Sequence, residues 1–380
     1  EGCEYPFKGL CGAAVAYKLV EALCEANGQD VADLDYLLEN VAIATVADVM
    51  DLTEENRILV KQGLEMLKRT SNLGLRALIQ CIGLEGKKIQ AYHIGFILAP
   101  CLNASGKLDT AKRALALLRA KTGREADMLA GDLKALNESR RDMTDRVVDE
   151  AMAKVEQTDI REDKVLVIYL PDCHESLAGL VAGRVRENYY RPVFVLTDSE
   201  DGVKGSGRSI ESYSMYEELT GCGDLLTKFG GHPMAAGLSL DKENVEKFKR
   251  RLNDQCTLSE EELTEKVVID MELPFAAITE QFIEELEYLE PFGKGNTKPV
   301  FAARGVVMHH VKIIGKNKNV AKATAIDAAG NRMEAICFHD AQEFAERCEK
   351  NNGKMSITFY PGINEFRGER QIQIVITHYR

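Results

Sequence analysis

The segment that most constrains the fold lies near the middle of the chain, where two apolar runs flank a helical pattern. The runs are "VLVIYL" (165–170) and "RPVFVLT" (191–197), and "SLAGLVAGRVRENYY" (176–190) separates them. Two strands joined through a helix pair in parallel within one sheet. Such strands are buried on both faces, which explains why they are continuously apolar rather than alternating. The sequence therefore predicts an α/β fold.

Upstream of this unit the pattern is mostly helical. Apolar residues recur at intervals of three and four from residue 9 to about residue 122, which indicates amphipathic helices. One run, "VAIATVADVM" (41–50), is apolar and β-branched, and we predict a short strand that ends on Asp48. Residues 123–158 are highly charged with a narrow apolar face, so we predict one or two long helices that link two domains.

Downstream of residue 296 the pattern changes to short alternating runs separated by glycine or asparagine turns. One helical segment, 341–350, interrupts these runs. Several short strands in a module of this size are typical of a small β-barrel.

Charge and composition restrict the class of protein. The net charge is −12, yet residues 296–380 contain 13 Lys and Arg against 8 Asp and Glu, so a basic terminal module on an acidic body can hold a polyanion. The ten cysteines lack the spacing of ligand pairs, and we expect reduced core thiols. No apolar run reaches the roughly 20 residues that span a bilayer, and the first residues do not resemble a secretion signal. We expect a cytoplasmic protein without a membrane segment.

Asp48 is the candidate metal ligand. An aspartate at the carboxyl end of an apolar strand stands where open α/β sheets place ligand-binding groups, and a carboxylate suits Mg²⁺ or Mn²⁺. The alternative is that Asp48 caps the following helix, "LTEENRILV". No apolar strand precedes Asp33 and Asp35, so capping is the better interpretation for these two.

The segment "KGSGRS" (204–209) is a candidate anion site. Its glycines permit close backbone approach, while Lys204, Ser206, Arg208 and Ser209 offer donors that suit phosphate oxygens. The alternative is a flexible hairpin turn, which needs the glycines but not the arginine.

The segment "GGHPMAAG" (230–237) has the same logic. Gly230 and Gly231 allow a tight turn, after which His232 is either exposed to a ligand or packed inside. Because this segment lies about two dozen residues after "KGSGRS", the two together favour an anion site.

Two further polar positions have open alternatives. His174 stands between a strand and a helix, where it binds a phosphate, donates a proton or serves only as a loop residue. Asn103 and Ser105 belong to "LNASGKLDTA" (102–111), a predicted turn that opens a helix, and they either bind a ligand or close that turn.

These motifs, in this order, resemble the RecJ family of the DHH phosphoesterase superfamily. "YPFKGLCGAAVAYKL" is similar to the segment after the family's Asp-His-His motif, and "ATVADVMDL" to its last metal-binding aspartate motif. "HESLAGLVAGRVRENYYRPVFVL", "GSGRS" and "GGHPMAAGL" are similar to the DHH-associated domain. "LEPFGKGNTKPVF" and "GINEFRGERQIQIVI" are similar to the start and end of the family's OB-fold. The resemblance covers essentially the whole chain.

The resemblance implies the division of the chain. The expected segments are the C-terminal part of a DHH phosphoesterase domain (1–122), a helical linker (123–158), an α/β DHH-associated phosphate-binding domain (159–258), a connector (259–295) and an OB-fold nucleic-acid-binding β-barrel (296–380).

The resemblance also implies a function. The family hydrolyses single-stranded DNA from the 5′ end by a two-metal mechanism, in DNA repair and recombination, with single-stranded DNA as substrate and a helicase or single-strand-binding protein as partner. By the resemblance Asp48 is a catalytic ligand of Mn²⁺ or Mg²⁺, and His232, also catalytic, holds phosphates with Arg208 and Ser209 across an interdomain cleft. The remaining implied substrate-binding residues are Asn103, His174, Ser206, Gly230 and Gly231. Where the family often has an arginine before the asparagine, this chain has Cys101 and Leu102, so that contact is not implied here.

Other motifs of the family are missing from the sequence. It contains no Asp-x-Asp after an apolar strand and no Asp-His-His, and its one histidine pair, His309 and His310, lies in the β-rich module. The family places those groups upstream of Glu1, and we expect this chain alone to be inactive.

Two alternative functions remain open. One is a nucleic-acid-binding or partner-binding module without catalysis, in which Phe301, Phe366, Lys312, Lys316 and Arg367 bind by stacking and charge unless the phenylalanines pack in the core. The other is a phosphodiesterase of short oligonucleotides or cyclic dinucleotides, against which the OB-fold counts.

Overall fold

The structure, a computed structural model, describes residues 4–108, 111–315, 317–338, 340–366 and 368–380. The side chains of Asp33, Ser105 and Phe366 also lie outside the described part, as do Lys316 and Arg367. The helices are α1 (Gly12–Ala26), α2 (Leu38–Ala47), α3 (Glu54–Leu67), α4 (Leu73–Cys81), α5 (Ala91–His93), α6 (Ala99–Leu108), α7 (Lys112–Leu118), α8 (Gly123–Gln157), α9 (Glu175–Tyr189), α10 (Met215–Gly221), α11 (Val245–Gln255), α12 (Glu280–Leu286) and α13 (Ala341–Lys350). The strands are β1 (Leu166–Tyr169), β2 (Val193–Ser199), β3 (Gly202–Arg208), β4 (Leu226–His232), β5 (Ala235–Leu240), β6 (Met271–Glu272), β7 (Phe301–Ile314), β8 (Val320–Ile326), β9 (Arg332–Cys337), β10 (Lys354–Phe366) and β11 (Glu369–Tyr379).

The chain divides into two compact units. The first contains residues 1–71, 84–99 and 267–380, and the second contains residues 72–83 and 100–266. The first unit includes the N-terminal helices and the C-terminal barrel, whereas the second includes the five-stranded sheet.

The sheet of the second unit has the strand order β1-β2-β3-β5-β4. β1 and β2 pair in parallel around α9, which confirms the strand, helix, strand prediction. The other three strands are antiparallel additions, and β4 is an edge strand. The predicted α/β class is therefore correct, and the sheet is mixed.

The segment 204–209 is not the flexible hairpin turn that was the alternative to an anion site. It forms most of β3, where a β-carbon on Gly207 would lie 2.6 Å from the side chains of Met215 and Phe194. A β-carbon on Gly205 would lie 2.4 Å from Leu196. These two glycines therefore let β3 pack on the core, and only the residues between them face the opposite side of the sheet.

The predicted charged helix is a single one, α8, and it matches the predicted span closely. Thr122 caps it by accepting the backbone N–H of Glu125. Its buried side chains recur at intervals of three, four and seven, a narrow stripe that packs on α4 and α9: Ala126, Ala130, Leu133, Asn137, Arg140, Thr144, Ala151 and Val155.

In the first unit the predicted strand at 41–50 is wrong. Those residues form α2 and its C-terminal turn, and Asp48 is the C-cap. Because α2 is packed between α1 and α3, most of its surface is buried and its sequence shows no amphipathic period. A short apolar run of this kind does not distinguish a buried strand from a buried helix.

The capping and turn predictions in the helical region are also corrected. Thr53, not Asp48, occupies the N-cap position of α3. Asp30 caps the 3-10 turn Val31–Leu37, and Asp35 lies within that turn. Asn103 is exposed within α6, which starts before the predicted turn.

The C-terminal module is a closed barrel. β7, β8, β9, β11 and β10 pair in that order, β10 pairs back with β7, and β6 adds in parallel to β7. The segment before the predicted start of the barrel joins its core through Leu273, Phe275 and Ile283. Phe301 is buried in the same core beside Phe359, so the stacking role considered for it is wrong.

Two expectations from the sequence concern the state of the cysteines and the apolar runs. All nine cysteines of the described residues are free thiols, and most are buried. Within the same residues, every helix is too short or too polar to cross a lipid bilayer.

Candidate functional site

A half-buried arginine on β3 forms the centre of the candidate anion site. The Arg208 Nη1 donates to Ser206 Oγ at 3.2 Å and to the carbonyl of Gly207 at 2.8 Å. Within the described residues Arg208 forms no ion pair. A guanidinium has five N–H donors, so most of them remain for a ligand.

The space for this guanidinium is provided by a glycine on α9. A β-carbon on Gly179 would lie 2.6 Å from Arg208 Nη2 and 2.9 Å from Ser206 Oγ. Any other residue at position 179 would therefore displace the arginine. Four residues further along α9, a β-carbon on Gly183 would meet nothing within 4 Å, so that part of the helix face is open.

The electrostatics of Arg208 favour an anion. Burial lowers the pKa of the Arg208 guanidinium, and the positive charge of Arg186 lowers that pKa further. An arginine stays protonated in proteins, so the lowered pKa means that a cation is held here without a compensating carboxylate. Arg186 lies one to two turns beyond Gly179 and Gly183, and its nearest carboxylate is the exposed Glu187 at 3.2 Å. The two arginines together form a positive site that a phosphate would neutralise.

His232 lies in register with Arg208 across the sheet. Ala235 of β5 pairs with Arg208 on one side and with His232 on the other. Neighbouring strands are separated by about 4.8 Å, so the backbones of the two residues are roughly 10 Å apart. Directly paired residues point to the same face of a sheet. The histidine is exposed to solvent and is not packed inside. The tight turn lies after His232, at Pro233 and Met234.

The two glycines before the histidine have different functions. Gly231 has φ +152, and a β-carbon there would lie 2.4 Å from the carbonyl oxygen of Ala235, so this position requires glycine. Gly230 pairs with Gly237, and a β-carbon on Gly230 would enter open space. Gly230 and Gly237 thus form a flat floor without side chains.

This floor belongs to an open groove of about 520 Å³ on the sheet face next to α9. Ser206, Lys204 and Lys228 contribute donors to its walls. Lys204 forms an ion pair with Glu175 at 2.7 Å, and this lysine lowers the pKa of the Glu175 carboxyl. The groove and the Arg208 site share Ser206, so a ligand with a phosphate at Arg208 can extend along the floor.

His174 occupies the N-cap of α9. Its Nδ1 accepts the backbone N–H of Ser176 at 3.3 Å and lies 2.7 Å from Ser176 Oγ. The cap therefore uses Nδ1, and the exposed ring leaves Nε2 for solvent or a ligand.

Ser209 differs from the other predicted residues of this segment. Its side chain is only 1% exposed, and its hydroxyl donates to the carbonyl of Tyr213 at 2.5 Å. Its own N–H donates to the carbonyl of Met234. The predicted phosphate contact does not suit a buried hydroxyl with a backbone partner, and Ser209 instead fixes the end of β3 to the hairpin turn after His232.

Asp48 is a separate candidate, in the first unit. Its carboxylate is exposed and has no hydrogen bond or ion pair within the described residues. It stands at the C-terminal end of α2, whose last turn contains no basic residue. The partial negative charge of a helix C-terminus repels a carboxylate, so this arrangement favours a bound cation.

The set of metal ligands is nevertheless incomplete. The described residues contain no group of three or more His, Cys, Asp or Glu side chains that could hold a metal ion. Asp48 fits the chemistry of one oxygen ligand for Mg²⁺ or Mn²⁺, and such ions need several.

Sequence reasoning missed Gly179 and Arg186. In a helical pattern, an arginine such as Arg186 is typical of a solvated position, and a glycine such as Gly179 is typical of a close-packing position. The available signal was their spacing: Gly179, Gly183 and Arg186 recur at four and three residues, which places them on one face of a helix.

Two family models match the second half of the chain. The DHHA1 domain model matches residues 162–258, and the RecJ OB domain model matches residues 269–378. The first contains the Arg208 site and the groove, and the second contains the barrel.

Whole-chain relatives extend this likeness. The single-stranded-DNA-specific exonuclease RecJ of Bacillus subtilis is 37% identical over 99% of this chain and 47% of its own length. The exonuclease of the same name from Salmonella typhimurium is 33% identical over 98% of this chain and 68% of its own length. The chain thus spans about half the length of the first relative.

Solved structures agree. Crystal structures of RecJ from Thermus thermophilus, in complex with Mg²⁺ and with Mn²⁺, match 99% of this chain with a TM-score of 0.82 and 27% identity. The match covers 57% and 54% of those chains. A DHH-associated domain followed by an OB domain defines a class, the DHH phosphoesterases with an added barrel. Within that class, this chain belongs to the RecJ family.

Proposed function

We propose that this chain is part of a metal-dependent exonuclease that hydrolyses single-stranded DNA from the 5′ end. The observation that carries the proposal is the half-buried Arg208, held over Gly179 without a carboxylate partner among the described residues. Relatives that are named single-stranded-DNA-specific exonucleases support the choice of substrate.

The residues of the second unit bind phosphates in this proposal. Arg208 and Ser206 donate to phosphate oxygens, because charge-assisted hydrogen bonds from a guanidinium are strong and directional. His232 holds a neighbouring phosphate and positions it for reaction. The floor at Gly230 admits the DNA backbone, because it has no side chains.

Two further predicted residues, His174 and Asn103, contact the strand in this proposal. His174 contacts the strand through Nε2, since its Nδ1 caps α9. Asn103 is exposed on α6 and contributes an amide. Ser209 is left out of the phosphate contacts because it is buried.

Asp48 is the residue of this chain that we assign to the metal, Mn²⁺ or Mg²⁺. Bound ions, of which we expect two, would activate water and stabilise the charge that develops on the leaving oxygen. Asp48 contributes an exposed carboxylate at the end of a helix, and the remaining ligands come from outside the described residues.

The barrel guides the strand by charge. Lys312 is exposed on β7 and contributes to the basic balance of the module. A polycationic surface binds single strands without sequence preference. A function in DNA repair and recombination, and a helicase or single-strand-binding protein as partner, stay predictions of the proposal.

The proposal is tested with the complete gene product. A 5′-labelled and a 3′-labelled single strand, each with a matched duplex, are incubated with Mn²⁺ or with EDTA. Release of mononucleotides from the 5′ end of the single strand alone, abolished by EDTA, is expected. A complete gene product that binds the strand but never degrades it would instead establish the non-catalytic binding module.

A further inference from the structure

One loop of the first unit contacts the segment that follows Asp48. This loop, residues 287–296 and called the clamp loop below, leads into β7 of the barrel. The N–H of Leu52 donates to the carbonyl of Lys294 at 2.6 Å, and Lys294 Nζ forms an ion pair with Asp51 Oδ1 at 2.9 Å. A backbone bond and a side-chain pair thus join the same two stretches of chain.

Glycines make this contact close. A β-carbon on Gly293 would lie 2.7 Å from Cδ1 of Leu52, which is itself 2% exposed. Gly295 has φ +75, and a β-carbon there would lie 3.0 Å from Cβ of Asp51. The contact depends on the absence of side chains at both positions, so glycine is required at residues 293 and 295 for this fit.

The clamp loop is itself fixed. Arg57 on α3 donates through Nη2 to the carbonyls of Tyr288 at 2.9 Å and Leu289 at 3.1 Å. Asn296 Nδ2 donates to the carbonyl of Leu289 at 2.8 Å. The loop is therefore attached to α3 at one end and folded on itself at the other.

On its other side Asp48 is held by the end of α2. The N–H of Val49 donates to the carbonyl of Val46 and the N–H of Met50 to the carbonyl of Thr45, both at 3.1 Å. These are the two bonds of a Schellman motif, in which the residue after the C-cap is left-handed. That residue is Val49, with φ +55, a conformation that is strained for a β-branched side chain.

Asp48 thus begins a stretch of chain that is restrained along its whole length. The Schellman motif restrains residues 48–50, and the clamp loop restrains residues 51–53, so almost no free backbone separates them. Strain at Val49 persists only where the surrounding structure enforces it. The Schellman bonds hold Val49 and Met50, and the clamp loop holds the chain from Asp51 onward.

We propose that the clamp loop is a positioning element for the Asp48 carboxylate, so that the lead-in of the barrel controls how firmly Asp48 holds its metal ion. This inference rests on the proposed function of Asp48. Gly293, Lys294 and Gly295 are positioning residues, which act on the metal through the backbone of residues 51–53 and not by contact.

The experiment uses the complete gene product and two readouts. The first is the exchange of the Leu52 amide hydrogen, measured by NMR without metal. The second is the rise in melting temperature with Mn²⁺ concentration. In Gly293→Ala we expect the Leu52 amide to exchange faster, and we expect the half-saturating Mn²⁺ concentration to rise about ten-fold, as for other residues that orient metal ligands. Gly362→Ala in β10, where a β-carbon would enter open space, is the matched control and should leave both readouts unchanged.

A second, compensating substitution distinguishes the loss of positioning from a general loss of stability. Leu52→Val removes the atom that Gly293→Ala would strike, so the double variant should recover most of the Mn²⁺ affinity that Gly293→Ala loses. If Gly293→Ala does not fold, Lys294→Glu replaces it. Both members of that pair are more than half exposed, so this variant should fold, and Asp51→Lys should restore its Mn²⁺ response.

The outcomes distinguish the inference from the function on which it rests. If the melting temperature of the wild-type protein does not change with Mn²⁺, both the proposed function of Asp48 and the clamp inference are overturned. A wild-type protein that responds to Mn²⁺, with Gly293→Ala and Lys294→Glu responding at the same concentration, overturns the clamp alone.

Discussion

The Arg208 guanidinium occupies the space that any side chain at Gly179 would need, because its Nη2 lies 2.6 Å from the position of a β-carbon on residue 179. We expect Gly179→Ala to displace the guanidinium and to lower kcat/KM on single-stranded DNA at least about ten-fold, which corresponds to the loss of roughly 1.4 kcal/mol of interaction. Steady-state kinetics on the complete gene product measure this change.

The matched control is on the same helix. Gly183→Ala adds the same methyl group in open space and should raise stability by up to about 1 kcal/mol through helix propensity, without a change in kcat/KM. If Gly179→Ala and Gly183→Ala have equal activity, the space at residue 179 has no functional importance.

His232 is predicted to contribute to turnover and not to stability. Its side chain is exposed at the end of β4, so His232→Ala should change the free energy of unfolding by less than about 0.5 kcal/mol while kcat falls far more. Thermal unfolding and kcat are measured on the same preparation.

The comparison is His309→Ala, which replaces a different exposed histidine, on β7. A melting temperature that falls strongly in His232→Ala, with normal activity per folded molecule, would mean that this histidine is structural.

The sequence was most informative where one pattern admits one structure. The β1–α9–β2 unit followed from a long helix between two buried runs, and the barrel followed from its alternating runs. The run at 41–50 admitted two structures, since a helix buried on nearly all sides has no amphipathic period. The outcome depended on packing between α1 and α3, which no local signal reports.

The candidate site shows the same limit. The glycines of "KGSGRS" suggested close backbone approach to an anion or a hairpin turn, but Gly205 and Gly207 face the core, and only the alternate residues face α9. In the sequence Ser209 looked equivalent to Ser206. In the structure Ser209 comes directly after the last residue of β3 and is buried. The alternation of side chains along β3 decides which of them are available to a ligand, and the glycine-rich sequence did not indicate that this segment is a strand.

A buried carboxylate in the first unit should make stability depend on pH. Burial of Glu39 raises the pKa of its carboxyl, and a hydrogen bond from Thr70 opposes that rise only in part. The folded state therefore holds the proton more tightly than the unfolded chain, so stability falls as pH rises from the ordinary glutamate pKa through the raised one. We expect Glu39→Gln to stabilise the fold by about 1 kcal/mol at neutral pH and to have little effect near about pH 4.

Chemical denaturation of both proteins at several pH values tests this prediction. Curves of stability against pH that remain parallel for wild type and Glu39→Gln would contradict it, because the titration of Glu39 would then contribute nothing.

Asp48→Asn separates the metal function of this residue from its place in the fold. The carboxylate stands at the negative end of α2 and has no partner within the described residues, so its replacement by the neutral amide should raise stability without metal by roughly 0.3–1 kcal/mol. The same change should abolish Mn²⁺-dependent hydrolysis and reduce the stabilisation by Mn²⁺, since an amide oxygen is a weaker ligand than a carboxylate. Melting temperatures with and without Mn²⁺ measure the two changes in stability, and release of mononucleotides from single-stranded DNA measures the hydrolysis. A variant that is destabilised without metal, yet is stabilised by Mn²⁺ as strongly as wild type, would show that Asp48 serves the helix end and not the ion.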